Sequence, residues 1–237
     1  MFEAAIGWLS MVVLFLAGLV ARVLLALLVI AAVVAPIAGL LYAWRGGRAV
    51  ADRVAGLQRL GHVLWRRGCY YTPGHLWLKP ARARAVRVGL DDVAQRVLPD
   101  VTVVELPLAG THVRQGEAIG RIECAGGAVT VRAPVAGTIT AVNGRLQRTP
   151  RLLHADPYRR AWMVQMTPAD ERYRDFRTGD RARTWLAAED QRLARFFEQQ
   201  LGVAAADGGD LILPPQKLLT PAQWEAIRTE FLESPAP

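Results

Sequence analysis

Apolar and polar positions fall into three regimes along this chain. From Ile6 to Trp44 the apolar positions are almost unbroken, and Arg22 is the only ionisable side chain there besides a tyrosine. Over residues 48–67 the spacing changes. Val50, Val54, Leu57, Leu60 and Leu64 recur at about 3.6 residues, with Arg48, Arg59 and Arg66 on the opposite side. That pattern predicts an amphipathic helix, lying along a membrane leaflet or packing on the domain that follows. Gly68 ends it, and short β-branched runs then alternate with turn residues: AVRVGL, VTVVELP, EAIGRIEC, AVTVRAP, GTITAVNG and AWMVQMTP. These predict a small, mainly β barrel or sandwich.

Helical spacing reappears at three places. Asp91 to Val97 reads as a short helix closed by Leu98 and Pro99. From about Asp180 to Gly202, an apolar side is supplied by Trp185, Leu186, Leu193, Phe196, Phe197 and Leu201. A last helix begins at Thr220, with Pro221 at its first position and Gln223 three residues past the cap. Trp224, Ile227 and Phe231 form its apolar stripe. Gly116 is placed for a positive-φ turn between strands, and Asn143-Gly144 for a tight turn. The phrases GTHVRQGEAI and GTITAVNGRL are loosely alike, which suggests two related halves.

The long apolar front is read as membrane rather than as the core of a small soluble domain. A secretory leader would place basic residues before a shorter apolar core, whereas here Glu3 precedes the run. Residues 1–44 are thus expected to be a transmembrane region of one or two spans. Arg22 then sits either in a tight connection or at a headgroup or partner. Arg45, Arg48, Arg53, Arg59, Arg66 and Arg67, against Asp52 alone, keep the flank at 45–68 on the cytoplasmic side of the inner membrane. The formal net charge is +8. Much of it lies beside the apolar region, so anionic lipid is the expected partner and nucleic acid is not.

Cys69 and Cys124 form no CxxC pair, and His62, His75, His112 and His154 are scattered, so neither a disulfide nor a metal site is expected. No GxSxG, phosphate-binding glycine loop, HExxH or paired carboxylates occur, and no catalytic activity is expected.

Over roughly residues 70–170 the chain resembles the H protein of the glycine cleavage system. Tyr71 with HLW (75–77), VGLDDVAQ (88–95), VVELPLAGTHVRQGE (103–117), IEC (122–124), APVAGTITAVNGRL (133–146) and HADPYRRAWMVQMTP (154–168) carry the resemblance, in the family's order and spacing. It implies a flattened lipoyl-domain-like barrel (a barrel-sandwich hybrid) over 69–170, followed by a helical extension over 171–237. In that family a lipoylated lysine at a hairpin turn carries an aminomethyl group from glycine decarboxylase to the aminomethyltransferase. It also exchanges electrons with dihydrolipoamide dehydrogenase.

The family hairpin reads Glu-Ser-Val-Lys-Ala. Counting back without a gap from Ala133-Pro134 sets Glu123 on the glutamate, Cys124 on the serine, Ala125 on the valine and Gly126 on the lysine, with Gly127 next. Ala161 replaces the family glycine before Trp162. Glycine offers no amine for an amide bond. The other lysines, Lys79 and Lys217, lie outside this hairpin.

No cofactor is therefore expected. Cys124 reads either as a small packing residue or as a reactive thiol, Glu123 as structural or as an interaction residue, and His75 and Trp77 as packing residues or as participants in a reaction. The leading expectation is a non-catalytic, non-lipoylated, membrane-anchored adaptor that presents a protein-binding barrel to an unidentified partner. The alternatives are a carrier in glycine cleavage or related transfer, and small-ligand binding in the groove that receives the folded-back arm in the family.

Overall fold

The computed structural model describes residues 19, 22, 25, 28, 30, 32–37, 56–201 and 220–233. The chain divides into two units at Val54/Ala55. In the first, all the described residues are helical, and Leu19, Leu25, Leu28, Ile30, Val33, Val34 and Ile37 are exposed. Among the described residues no helix is long and apolar enough to cross a membrane. The transmembrane reading of 1–44 gains no support from them, and most of that segment, with Arg45, Arg48 and Arg53, lies outside the described residues.

The second unit corrects the amphipathic helix expected over 48–67, whose described part is a β-hairpin. Strand β1 (Leu57–Leu60) pairs antiparallel with β2 (Val63–Arg66) across the two-residue turn Gly61-His62. Gly61 has φ +59°, the conformation glycine favours at the first central position of such turns. Leu57, Leu60 and Leu64 fit a helical stripe, yet Val63 and Trp65 are the residues buried along β2, with the period of a strand. Long-range bonds decide between the two periods. Tyr71 Oη accepts from the Arg66 amide (2.8 Å), and Tyr158 Oη donates to the Leu64 carbonyl (2.8 Å). Asp92 Oδ2 accepts from the Leu64 amide (2.9 Å), and Asp190 Oδ2 accepts from the His62 amide (3.2 Å).

The predicted strands all form. Among the described residues, nine strands build two antiparallel sheets. The larger has the order β3 (Tyr70–Tyr71), β4 (Leu76–Pro80), β5 (Val86–Leu90), β11 (Val164–Pro168), β10 (Gly137–Val142) and β7 (His112–Val113). The smaller has the order β6 (Val101–Glu105), β8 (Ala118–Cys124) and β9 (Gly127–Arg132). Alternating residues such as Val86 and Val88, Ile122, Val129 and Val131, and Ile139 are withdrawn into one core. The fold class is thus mainly β, as expected.

Helix α1 (Asp92–Val97) begins at the Asp91 cap, whose side chain accepts from the Ala94 amide (3.0 Å). Gly116 has φ +82°, as its turn requires. Asn143-Gly144 differs from expectation. Asn143 caps a short helix, α2 (Gly144–Arg148), and its Nδ2 donates to the Arg160 and Trp162 carbonyls (2.7 Å each). A second short helix, α3 (Leu152–Ala155), follows. The long helix α4 (Gly179–Leu201) and the terminal α5 (Pro221–Ile227), continued by a π turn over Arg228–Leu232, match the helical spacing of the sequence.

Candidate functional site

The β8–β9 hairpin closes at the Cys124↔Gly127 pair, leaving Ala125 and Gly126 at its tip. The Ala125 amide donates to the Asp100 carbonyl (3.2 Å), which ties the tip to the start of β6. Gly126 and Gly127 adopt φ +108° and +143°, conformations costly for any residue with a Cβ. The space beside Gly126 is tight as well. A Cβ on Gly126 would lie 3.1 Å from Trp224 Cδ1, and one on Gly127 would lie 3.6 Å from Trp224 Nε1.

Trp224 reaches the tip because the start of α5 is fixed locally and its face is fixed by packing. Thr220 accepts from the Gln223 amide (3.3 Å), while Gln223 Oε1 accepts from the Thr220 amide (2.9 Å), completing a capping box. Trp224, Ile227 and Phe231 are then buried on one side of the helix. Burying such an indole contributes about 3 kcal/mol against truncation to alanine.

A charged network fastens the same helices to the barrel. His75, buried and at φ +57°, lies in the turn before β4. Its Nδ1 is 3.0 Å from Asp91 Oδ2, and its Nε2 faces Glu189 Oε2 on α4 at 3.6 Å. Trp185 of α4 stacks on the imidazole, with ring centroids 5.2 Å apart, and Phe231 flanks it at 6.2 Å. Burial pulls the imidazole pKa down, but Asp91 and Glu189 outweigh it and lift the value to about 9. Burial pushes the Glu189 carboxyl up, and the His75 and Arg192 cations more than reverse this, so its net shift is downward. Arg192 pairs with Glu189 (2.9 Å) and with Glu230 just beyond α5. The chain His75–Glu189–Arg192–Glu230 thus joins barrel, α4 and C-terminal turn.

Glu123 is half-buried and pairs with Arg121 (3.5 Å). The Cys124 thiol is buried and donates to the Gly127 carbonyl (3.3 Å), and burial pushes its pKa to about 11. Arg59 and Arg67 are exposed, whereas Arg66 is half-buried and donates to the Tyr158 carbonyl, so these arginines belong to the hairpin and its exit rather than to a helix face. Among the described residues no cluster of three or more His, Cys, Asp or Glu could hold a metal. The sequence located Trp224 on an apolar stripe but not its seat on the hairpin. The one local signal was the glycine pair, which can accept a flat ring at close range.

A lipoyl arm does not fit this tip. Gly126 has no side chain, its backbone disfavours a residue that has one, and a Cβ there would crowd Trp224, although the tip itself stays exposed. Beside the hairpin, a cleft of about 470 Å³ runs along β9, walled by Leu76, Leu90, Val129, Val131, Phe176 and Leu232. One wall therefore comes from the C-terminal turn. Leu106 packs half-buried on the core.

The model of the family described as glycine cleavage H-protein matches residues 69–187. The glycine cleavage system H protein of Micrococcus luteus is 42% identical over 105 residues, spanning 44% of this chain and 82% of that protein. That of Mycobacterium leprae is 39% identical over 101 residues, spanning 43% and 76%. The crystal structure of a glycine cleavage system H protein from Mycobacterium marinum is 32% identical and covers 44% of this chain and 87% of its own, with a TM-score of 0.41. The family match runs past residue 170 into the first part of α4. Arg66, Glu189, Arg192 and Trp224 lie outside it.

Proposed function

This chain belongs to the glycine cleavage H-protein family, and on that premise we propose that it is an arm-less, non-catalytic member whose barrel works as a protein-binding adaptor. The single observation behind this is Gly126, at the position of the arm-bearing lysine, with Trp224 packed over it. The family barrel keeps its sheets and core, while the feature that would move a group between partners is replaced by a fixed contact. A rigid surface can still be recognised by proteins that recognise carriers. The apolar run from Ile6 to Trp44 is the basis for membrane attachment in this proposal, and the clustered arginines after residue 44 favour the barrel on the cytoplasmic side of the inner membrane. Lipid is then a second partner.

The family match itself favours a second reading, a carrier in glycine cleavage. That reading needs a covalent arm at another site, since the hairpin has no amine. One experiment separates the two: affinity purification of the full chain from detergent-solubilised membranes, followed by intact-mass measurement. An unmodified chain with a stoichiometric protein partner supports the adaptor. A lipoyl adduct on the chain would overturn it and establish the carrier.

A further inference from the structure

On the larger sheet, positive side chains converge where the described residues supply no paired counter-charge. Lys79 on β4 and Arg87 on β5 are directly opposed partners in the strand register, and Gln165 on β11 is the next residue across. Like charges directly opposite each other across a sheet are destabilising. Arg66 enters the same pocket from the β1–β2 hairpin, and Arg82 from the β4–β5 turn. Among the described residues no carboxylate pairs with Arg66, Lys79, Arg82 or Arg87; Arg159, which also lines the pocket, pairs with Asp156 (3.3 Å), as does Arg160 (3.7 Å). Partial burial, then Arg66 and Arg87, hold the Lys79 ammonium below the ordinary lysine range.

Several features hold the cations in place. Arg87 Nε donates to Gln165 Oε1 (3.3 Å), and its guanidinium lies 5.2 Å from the centre of the Trp162 ring. Arg66 is fixed by its bond to the Tyr158 carbonyl, while its Nε is buried with no hydrogen-bond partner among the described residues. The turn bearing Arg82 is itself strained. Ala85 donates to the Arg82 carbonyl (3.2 Å) across Ala83 and Arg84, both non-glycine residues at φ +56° and +57°. A turn with positive φ at both central residues normally takes Asn-Gly. Opposed cations, an unpartnered guanidinium nitrogen and a strained turn around a cavity of about 430 Å³ are costs that a bound anion would offset.

We propose that this pocket binds a phosphate-bearing anion, held between Lys79 and Arg87 on the sheet and Arg66 and Arg82 at its edges. The chemistry required is a compact, multiply hydrogen-bonding anion. A soluble phosphate compound or the headgroup of an anionic lipid supplies it. Arg66 precedes the family-matched region while Lys79, Arg82 and Arg87 lie within it, and the site does not rest on the adaptor proposal.

The test is calorimetric titration of the purified full chain in non-ionic detergent with two probes. These are pyrophosphate, and glycerophosphoglycerol as the deacylated headgroup of an anionic lipid. Saturable one-to-one binding of either probe is expected. Lys79→Gln with Arg87→Gln should weaken it by about tenfold or more, as loss of charge-assisted partners implies. Arg82→Gln, an exposed change that leaves the sheet intact, should weaken it in the same direction. Preference for pyrophosphate assigns a soluble ligand, and preference for the phosphodiester assigns lipid. No saturable heat with either probe up to about 10 mM, or binding unchanged in Arg82→Gln, would overturn the proposal.

Discussion

The indole of Trp224 covers Gly126 so closely that a Cβ there would lie 3.1 Å from Trp224 Cδ1. A residue beyond the family-matched segment thereby packs against the hairpin tip on which the family resemblance places the carrier lysine. The consequence is mutual dependence. The indole packs on a bare backbone, and that backbone carries no side-chain amine at this position.

Gly126→Ala is accordingly expected to destabilise the chain by about 1–3 kcal/mol, through the backbone conformation and the crowding of Trp224 together. Trp224→Ala alone should cost about 3 kcal/mol. In the double variant the crowding disappears while the backbone cost remains, so the two losses should sum to less than additive. Denaturant unfolding of the four chains measures this cycle. Strict additivity would mean that the two residues do not touch.

A second expectation concerns pH. His75 has a folded-state pKa of about 9 against an ordinary 6.5, so between these values the folded chain holds a proton that the unfolded chain has released. The contribution is fully present below about pH 6.5 and is lost as pH rises to about 9. Because Glu189 and Arg192 belong to α4 and Glu230 follows α5, the loss should appear as weaker docking of the C-terminal helices. Thermal unfolding from pH 6.5 to 9 should show a falling midpoint. Glu189→Gln removes one of the two carboxylates facing the imidazole, so the decline should shift to lower pH. A midpoint flat across this window in the parent chain would rule out the charged His75.

How much of this could be read from the sequence depended on range. The strands, the short helix at 91–97 and the Thr220 capping box are local patterns and formed as expected. The hairpin at 57–66 was missed because Leu57, Leu60 and Leu64 also satisfy a helical period, while the bonds that select the strand come from Tyr71, Asp92, Tyr158 and Asp190. Asn143-Gly144 was misread because an Asn side chain serves a helix start as readily as a turn, and the Arg160 and Trp162 carbonyls decided it. Gly126 was legible as a missing amine. The indole over it was not, since a capping box fixes where a helix starts and says nothing about where it docks. The basic pocket was likewise hidden, because Arg66 meets Lys79 and Arg87 only once the hairpin folds.

Cys124 provides the last expectation. A thiol near a carrier hairpin would be a candidate for acyl or disulfide chemistry if it were exposed and ionised. Here burial pushes its pKa to about 11, and its proton is directed at the Gly127 carbonyl. Cys69 is also buried, with its pKa raised to about 11, burial outweighing Arg66 and Lys79. Native chain treated with iodoacetamide at pH 7.5 should therefore label slowly at both cysteines, and denatured chain quickly. Trp224→Ala should selectively speed Cys124, because uncovering the tip loosens the turn that holds its thiol while leaving Cys69 enclosed. Rapid labelling of Cys124 in the native parent chain, with a rate that rises around neutral pH, would reveal an accessible thiolate and restore the hairpin as a site of covalent chemistry.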